Sequence, residues 1–344
     1  MKASVIGATG YAGAELLRLL SGHPQAEIAY ITSESSAGEM ITSLYPHLKD
    51  HVEKPLGSMQ DLEKIAAGSD VIFAALPQGH AMKIGKALRN SKAKFIDLSA
   101  DYRFHDISVY EKWYKIKHED PGTKAVYGLP ELYRAKIKGA HIVANPGCYT
   151  TTSILALVPL LKAGLIETEG IVIDAASGTT GAGRSLKAGS LYCEVNENYK
   201  AYGVATHRHT PEIEQVYSDF AGKKIVLQFT PHLLPLDRGI LATCYAMLKP
   251  GVTAQQVNEA FQAMYAHEYF IRLRGLGACP ELKNVRASNF VDLGWQLDER
   301  TGRVIVMSCL DNLVKGAAGQ AMQNMNILFD LPETTGLTGL PVYP

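Results

Sequence analysis

Of five cysteines, at positions 148, 193, 244, 279 and 309, one stands in a setting suited to covalent chemistry. The run Asn145-Pro146-Gly147-Cys148-Tyr149-Thr150-Thr151 follows a strand-like Ile142-Val143-Ala144 and precedes a helical pattern from Ser153 to Val158. That order puts Cys148 at or beside a helix N-terminus, where the dipole favours a thiolate. Gly147 leaves room for a carbonyl to reach the sulfur. A thiolate so placed is a nucleophile for acyl transfer. The other four cysteines lack this setting and read as small buried hydrophobes.

A second constellation is His207-Arg208-His209-Thr210-Pro211-Glu212. On an extended segment the two imidazoles share a face; in a tight turn they diverge. Thr210-Pro211 marks the first turn of a helix, which sets Glu212 one turn beyond His209. His209 is the first choice as acid and base beside the thiol and His207 the second, with Glu212 orienting and charging the imidazole. The competing reading of Glu212 is a surface acid that merely suits the helix dipole. No further ligand is spaced near the pair, and no Cys-x-x-Cys occurs, so no metal site is expected.

The third signal is Gly7-Ala8-Thr9-Gly10-Tyr11-Ala12-Gly13, between a strand and a helix. Glycines there let the backbone turn sharply and approach a pyrophosphate, which rests on helix N-terminal amides. All seven residues except Ala8 are assigned to a dinucleotide. The end of the second strand reads Ser33-Glu34-Ser35-Ser36. Hydroxyls at Ser33, Ser35 and Ser36 suit a ribose 2′-phosphate, so NADP is expected over NAD, with Glu34 as the complication.

Elements must hold these groups. Residues 3–7, 27–32, 71–76 and 94–98 read as strands, with helical patterns near 15–20 and 79–90 between them. Alternation of this kind means right-handed crossovers and a parallel sheet, so the first half is a doubly wound α/β domain. In the second half, strand patterns at 171–176, 224–229, 239–247 and 303–307 follow one another with fewer helices. That implies an α+β domain with a mixed or antiparallel sheet. A helix is expected over 317–328 and an irregular tail beyond Leu331. The expected domains are 1–147 for the dinucleotide, completed by the C-terminal helix at about 313–344, and 148–312 for catalysis and dimerisation.

Composition limits the function further. Lys plus Arg equals Asp plus Glu at 34 each, so no global field recruits nucleic acid or an anionic membrane. No apolar run approaches the ~18 residues of a membrane span, and the start lacks a signal-peptide core. An odd, scattered cysteine set points to a reducing, cytoplasmic setting.

Further segments bear on the family. They are Asp97-Leu98-Ser99-Ala100-Asp101-Tyr102-Arg103, Tyr127-Gly128-Leu129-Pro130-Glu131, Ser177-Gly178-Thr179-Thr180-Gly181-Ala182-Gly183-Arg184, Phe229-Thr230-Pro231-His232-Leu233-Leu234-Pro235 and Lys315-Gly316-Ala317-Ala318-Gly319-Gln320-Ala321. With the glycine loop, the Cys148 run and the His-x-His run, they resemble the N-acetyl-gamma-glutamyl-phosphate reductase family over nearly the whole chain. More distantly the chain is similar to aspartate-semialdehyde dehydrogenase. Thr150 departs from a proline common in the family, and Gln78 from a usual histidine.

The resemblance implies NADPH-dependent reduction of N-acetyl-glutamyl 5-phosphate through a thioester on Cys148. Aminoadipyl or aspartyl phosphate is the alternative substrate; a nucleotide-binding sensor and an alcohol dehydrogenase without a covalent step are the rivals. It also implies that Arg103 binds the phosphate, with Asn145, Ser177 and Arg184 around the substrate. Gly178, Gly181, Asn312 and Gly316 would lie about the nicotinamide, Asn312 bonding its carboxamide and Gly316 admitting it closely. The partners implied are a small acyl phosphate and further copies of the chain, as dimer or tetramer.

Overall fold

A computed structural model describes residues 1–344, all of the chain. It forms two compact units, Met1–Gly147 with Ala317–Gly339, and Cys148–Gly316 with Leu340–Pro344. The helices that matter below are α1 (Tyr11–Ser21), α2 (Ala81–Leu88), α3 (Pro130–Lys138), α4 (Cys148–Lys162), α5 (Thr210–Ala221), α6 (Ala254–Tyr265) and α7 (Gly319–Leu328). No helix is long and apolar enough to cross a membrane.

In the first unit, strands β1 (Lys2–Ile6), β2 (Glu27–Thr32), β3 (Val71–Ala74), β4 (Lys94–Asp97), β5 (Val126–Tyr127) and β6 (Ile142–Ala144) make one sheet. Its order is β2-β1-β3-β4-β6-β5, and every neighbouring pair is parallel. The sheet is covered on both faces, which is why Val71-Ile72-Phe73-Ala74 is buried at all four positions. Strand order reverses between β1 and β3, so the glycine loop after β1 opens at the switch point where such sheets bind ligands. The doubly wound expectation holds.

The returning helix α7 packs on α1 and α3 and is buried along its whole length, despite Gln320, Gln323, Asn324 and Asn326. Buried amides require partners. Asn324 Nδ2 donates to Gly128 O at 2.8 Å, and Asn326 Nδ2 donates to the carbonyls of Glu333 (3.1 Å) and Thr335 (3.0 Å). The helix expected from Ala317 is preceded by a π-turn over Val314–Ala318.

The second unit holds β7 (Val172–Ser177), β8 (Lys200–Ala201), β9 (Gln228–Leu233), β10 (Ile240–Met247), β11 (Ile271–Leu276), β12 (Val291–Asp298) and β13 (Arg303–Leu310). They form one sheet in the order β11-β12-β13-β10-β7-β9-β8. The pairs β11/β12 and β7/β9 are parallel and the rest antiparallel, so the sheet is mixed as expected.

Two strand assignments need correction. Lys224–Leu227 is not strand, because side chains of α5 capture its backbone: Ile225 N–H donates to Ser218 Oγ (2.9 Å) and Leu227 N–H to Glu214 Oε1 (3.1 Å). The strand starts at Gln228 instead. β11 and β12 were not anticipated; Gly294 interrupts the β12 pattern, and a Cβ there would stand 2.2 Å from Ala278 O.

Helix α4 lies on β10 and β13 and is flanked by α5 and α6. Every residue from Tyr149 to Leu161 is buried, which suits the apolar run from Ile154 to Leu161 and encloses the hydroxyl run from Thr150 to Ser153 with it. Pro159 lacks the N–H that would serve the Leu155 carbonyl. The Tyr265 hydroxyl of α6 donates to that carbonyl at 3.0 Å in its place.

Candidate active site

The nucleotide cradle is built from missing side chains. Gly7 leaves β1 at φ +84°, and a Cβ there would meet Ala75 O at 2.5 Å. A Cβ on Gly13 would stand 2.3 Å from Gly7 O. Gly10 is the N-cap of α1, so Tyr11, Ala12 and Gly13 occupy its first turn, whose N–H groups have no acceptor within the helix. At the end of β2, hydroxyls of Thr9 and Ser33 lie 2.9 Å apart, and Ser33 and Ser35 3.3 Å apart. Ser36 is half-buried. Glu34 turns away, its Oε1 accepting the Met59 N–H at 2.6 Å. Hydroxyls rather than a carboxylate therefore face this end, a donor set that fits a phosphorylated ribose better than a bare diol. The loop fits a dinucleotide.

In the second unit, Cys148 is the first residue of α4 and half-buried. Thr152 Oγ1 donates back to its carbonyl at 2.8 Å. Beside it lies Gly316, where a Cβ would approach Cys148 Cβ to 2.8 Å. The missing side chain of Gly316 thus lets this turn lie directly against the cysteine. Asp311 fixes this turn. Its carbonyl accepts from Gly316 N–H (2.9 Å), and its carboxylate accepts from the N–H groups of Leu313 (2.8 Å), Val314 (3.2 Å) and Ala287 (2.7 Å).

Next along α4, Tyr149 is an aromatic hub. Its ring meets His207 (5.7 Å between centroids), His209 (6.1 Å) and Phe229 (5.4 Å) edge-on. Its hydroxyl donates to His232 O (2.9 Å) and accepts from the Tyr202 hydroxyl (3.1 Å). Burial raises Tyr149 far above the usual phenol range and pushes Tyr202 up to about 12, so both are neutral donors.

His207 and His209 sit in a turn, yet their rings do not diverge; the centroids are 4.8 Å apart. The reason is local: His209 N–H donates to His207 Nδ1 (3.2 Å), folding one imidazole back over the other residue. Burial, with the Arg208 charge adding, pushes His207 down to about 4. It is therefore neutral near pH 7, with Nδ1 as the acceptor and the proton on Nε2. His209 is the N-cap residue of α5, and Glu212 lies in the first turn. Glu212 is fully buried, so the surface-acid reading is wrong. Its Oε1 accepts from Thr150 Oγ1 at 2.9 Å, which ties the first turns of α4 and α5 together.

Other expected site residues fare differently. Arg103 is buried, and its Nε and Nη2 donate to the carbonyls of Asn145 (2.8 Å) and Leu98 (2.9 Å). The Asn145 side chain donates to Ala317 O (3.1 Å) and accepts from Asn324 (3.1 Å) within the first unit. Ser177 is buried and donates to Gly178 O at 2.9 Å. The Gly178–Gly181 turn is pinned by Gly178 and Thr179 N–H donating to Gly239 O (2.9 Å) and Leu236 O (2.8 Å). Asn312 joins that framework, accepting from Gly239 N–H (2.8 Å) and donating to Thr180 Oγ1 (2.9 Å), so both ends of its amide serve the protein. Arg184 is exposed.

Sequence reasoning missed Tyr149, Tyr202, Asp311 and Asp101 as organisers. Asp101 accepts from Gly79 N–H (2.8 Å), Ala81 N–H (3.0 Å) and the Tyr110 hydroxyl (2.8 Å), clamping the Gln78 loop at the start of α2. The acidic pair in Asp97-Leu98-Ser99-Ala100-Asp101 was the available signal. Burial, with Asp101 close by, pushes Asp97 up to about 7.

Comparison with known proteins is consistent across the chain. Residues 2–140 match the family described as semialdehyde dehydrogenase, NAD binding domain, and residues 148–312 the semialdehyde dehydrogenase dimerisation domain. The chain is 52% identical to an N-acetyl-gamma-glutamyl-phosphate reductase of Symbiobacterium thermophilum, covering all of this chain and 99% of that one. It is 51% identical to the protein of that name in Geobacter sulfurreducens, covering 100% of each. Among solved structures, aspartate semialdehyde dehydrogenase II of Vibrio cholerae, complexed with ASA, aligns with a TM-score of 0.74 at 16% identity, over 96% of this chain and 98% of that one. The Candida albicans aspartate semialdehyde dehydrogenase with NADP aligns at 0.71 and 17%, over 95% and 98%. At such identities these structures speak for the fold.

Proposed function

The chain belongs to the N-acetyl-gamma-glutamyl-phosphate reductase family, and on that footing we propose that it reduces N-acetyl-L-glutamyl 5-phosphate to N-acetyl-L-glutamate 5-semialdehyde and phosphate, a step of arginine biosynthesis. The observation that carries the reading is Cys148 as the half-buried first residue of a helix buried from Tyr149 to Leu161, whose second residue packs on both imidazoles of the His-x-His turn.

Cys148 gives its thiol proton to His209, and the thiolate attacks the acyl carbon. The carbon–oxygen bond to phosphate breaks, His209 returns the proton to the departing phosphate, and a thioester remains on Sγ. This suits covalent catalysis, because a thioester accepts hydride more readily than a carboxylate. NADPH, held by Gly7, Thr9, Gly10, Tyr11, Ala12 and Gly13 with hydroxyls of Ser33, Ser35 and Ser36, supplies that hydride when bound. The carbon–sulfur bond then breaks, releasing the aldehyde and restoring the thiolate. Of the two histidines, His209 is the proton carrier. His207 is half-buried, neutral and committed at Nδ1 to the backbone. Arg103 receives the phosphate end of the substrate and Arg184 an anionic group. Asn145 and Ser177 are further substrate-binding residues, each also holding backbone within its own unit, at Ala317 and Gly178.

The enzyme acts in the cytoplasm as a homo-oligomer. Supporting this, β10 alternates buried Ile240, Ala242, Cys244 and Ala246 with half-buried Leu241, Thr243, Tyr245 and Met247, and β13 adds half-buried Ile305 and Met307 on that second face. An apolar sheet face of this kind suits a second copy of the chain.

The test is the reverse assay. Aldehyde with NADP should yield NADPH only when phosphate is added, and faster with N-acetyl-glutamate semialdehyde than with the aminoadipate or aspartate analogues. NADPH formation without phosphate would exclude the acyl-phosphate reaction, and preference for another aldehyde would reassign the substrate.

A further inference from the structure

Helix α4 starts with an unusual run for a helix, Thr150-Thr151-Thr152-Ser153 directly after Cys148 and Tyr149. Short β-branched hydroxyl residues are poor helix formers, and their hydroxyls compete for backbone partners. All four are buried, so each hydroxyl carries a desolvation cost unless something accepts from it. Thr152 follows the local rule, donating back to Cys148 O at 2.8 Å. Thr150 does not: Oγ1 donates 2.9 Å across to Glu212 Oε1, a carboxylate 62 positions on in the chain. Both residues are 0% exposed.

The Glu212 carboxylate stands in the first turn of α5, one turn from the N-cap residue His209. A buried carboxylate needs fixed donors to have one orientation, and a hydroxyl is a neutral one that leaves the negative charge in place. We propose that Thr150 is a positioning residue of the reaction, its hydroxyl holding the Glu212 carboxylate so that His209 is oriented and charged for proton transfer at Cys148. Two residues beyond the nucleophile, it makes the helix that presents the sulfur also hold a carboxylate in the first turn of the helix that His209 caps. The inference rests on the assignment of Cys148 and His209 above, and it adds a residue that the assignment did not include.

The experiment compares Thr150→Val, which keeps the shape and deletes the hydroxyl, with Thr150→Ser, which keeps the hydroxyl, in wild-type and Glu212→Gln backgrounds. A hydrogen bond to a charged acceptor is worth enough for about a tenfold effect, so Thr150→Val should lower kcat about tenfold with KM changed less than about twofold. Thr150→Ser should restore kcat to within about twofold of wild type. In the Glu212→Gln background, Thr150→Val should cost less than about twofold more, since the carboxylate through which it acts is gone. Equal losses for Val and Ser, full additivity with Glu212→Gln, or a rise in KM alone would each overturn the proposal. If Thr150→Val does not fold, the Ser variant in both backgrounds decides: a large kcat loss there overturns it, and near-normal kcat sustains the hydroxyl's role. Cys148→Ser separates the two layers of argument. Turnover surviving in that variant removes the assignment itself, whereas a dead Cys148→Ser beside a fully active Thr150→Val removes only the positioning role.

Discussion

The glycine loop of the first unit spans seven consecutive residues, Gly7 to Gly13, and its shape is enforced by what is absent: two positions where any Cβ would strike backbone oxygen. The thiol site of the second unit is gathered from segments around positions 148, 202, 207–212, 229 and 311–316, and its shape is enforced by what is present, namely buried hydroxyls, rings and carboxylates bonded across the chain. One site is set by backbone geometry and the other by a side-chain network. The first leaves no room for an added atom at Gly7 and Gly13; the second relies on bonds between distant side chains.

The sharpest way to separate the two regions is Cys148→Ser. Turnover should fall on the order of 10⁴-fold, because removing a covalent nucleophile leaves only binding and orientation. Nucleotide affinity, followed by titration calorimetry, should not change. Loss of both together would mean that the two units do not divide the work as described.

A pair of glycine substitutions comes next. Gly13→Ala drives a Cβ to 2.3 Å from a backbone oxygen, and nucleotide binding should weaken by well over about tenfold while Cys148 alkylation by iodoacetamide proceeds at its normal rate. Gly316→Ala presses on Cys148 Cβ from 2.8 Å and should do the reverse, lowering kcat on the order of 10²-fold with nucleotide affinity intact. If the two variants show the same phenotype, the contrast between the regions is gone.

Acid and base titration distinguish the units in sign. His207 is pushed down to about 4 from 6.5, so the unfolded chain binds the extra proton and the second unit gains stability as pH rises from about 4 to about 6.5. The gain is on the order of 3 kcal/mol across that window. Asp97 is pushed up to about 7 from 3.8, so the folded chain holds the extra proton and the first unit loses stability as pH rises from about 4 to about 7. Thermal unfolding against pH should therefore lose its rising contribution in His207→Gln and its falling one in Asp97→Asn. Identical pH profiles for both variants and wild type would contradict these burial effects.

The smallest effect belongs to Tyr265→Phe. It strips the donor from the Leu155 carbonyl that Pro159 has already deprived of an N–H, and should cost about 1–2 kcal/mol of stability with kcat unchanged. An unaltered melting temperature would show that the carbonyl finds another donor.

Local chemistry was readable in the sequence wherever a short stretch had to do one thing. Gly7, Gly10 and Gly13 between a strand and a helix have few other uses, and the buried run Val71-Ile72-Phe73-Ala74 announces a parallel sheet covered on both faces. Cys148 after Pro146-Gly147 places a sulfur at a helix start for the same reason. Strand limits were less secure. Lys224–Leu227 has a strand pattern, and only the folded chain brings Ser218 and Glu214 to take its amide hydrogens.

What no reading along the chain settled is which side chains serve substrate and which serve the fold. Asn145 and Asn312 have the residue types of a binding site, yet in the folded chain both ends of each amide bond other protein groups, and Gly316 lies against Cys148. Glu212 could not be told from a surface acid until α4 and α5 met at their first turns and buried it against Thr150. Sequence determined the fold class, the glycine loop between a strand and a helix, and the sulfur at a helix start, because each depends on neighbours within a few residues. Tertiary structure alone decided the supporting network, because hydrogen bonds and burial depend on partners that the chain order leaves far apart.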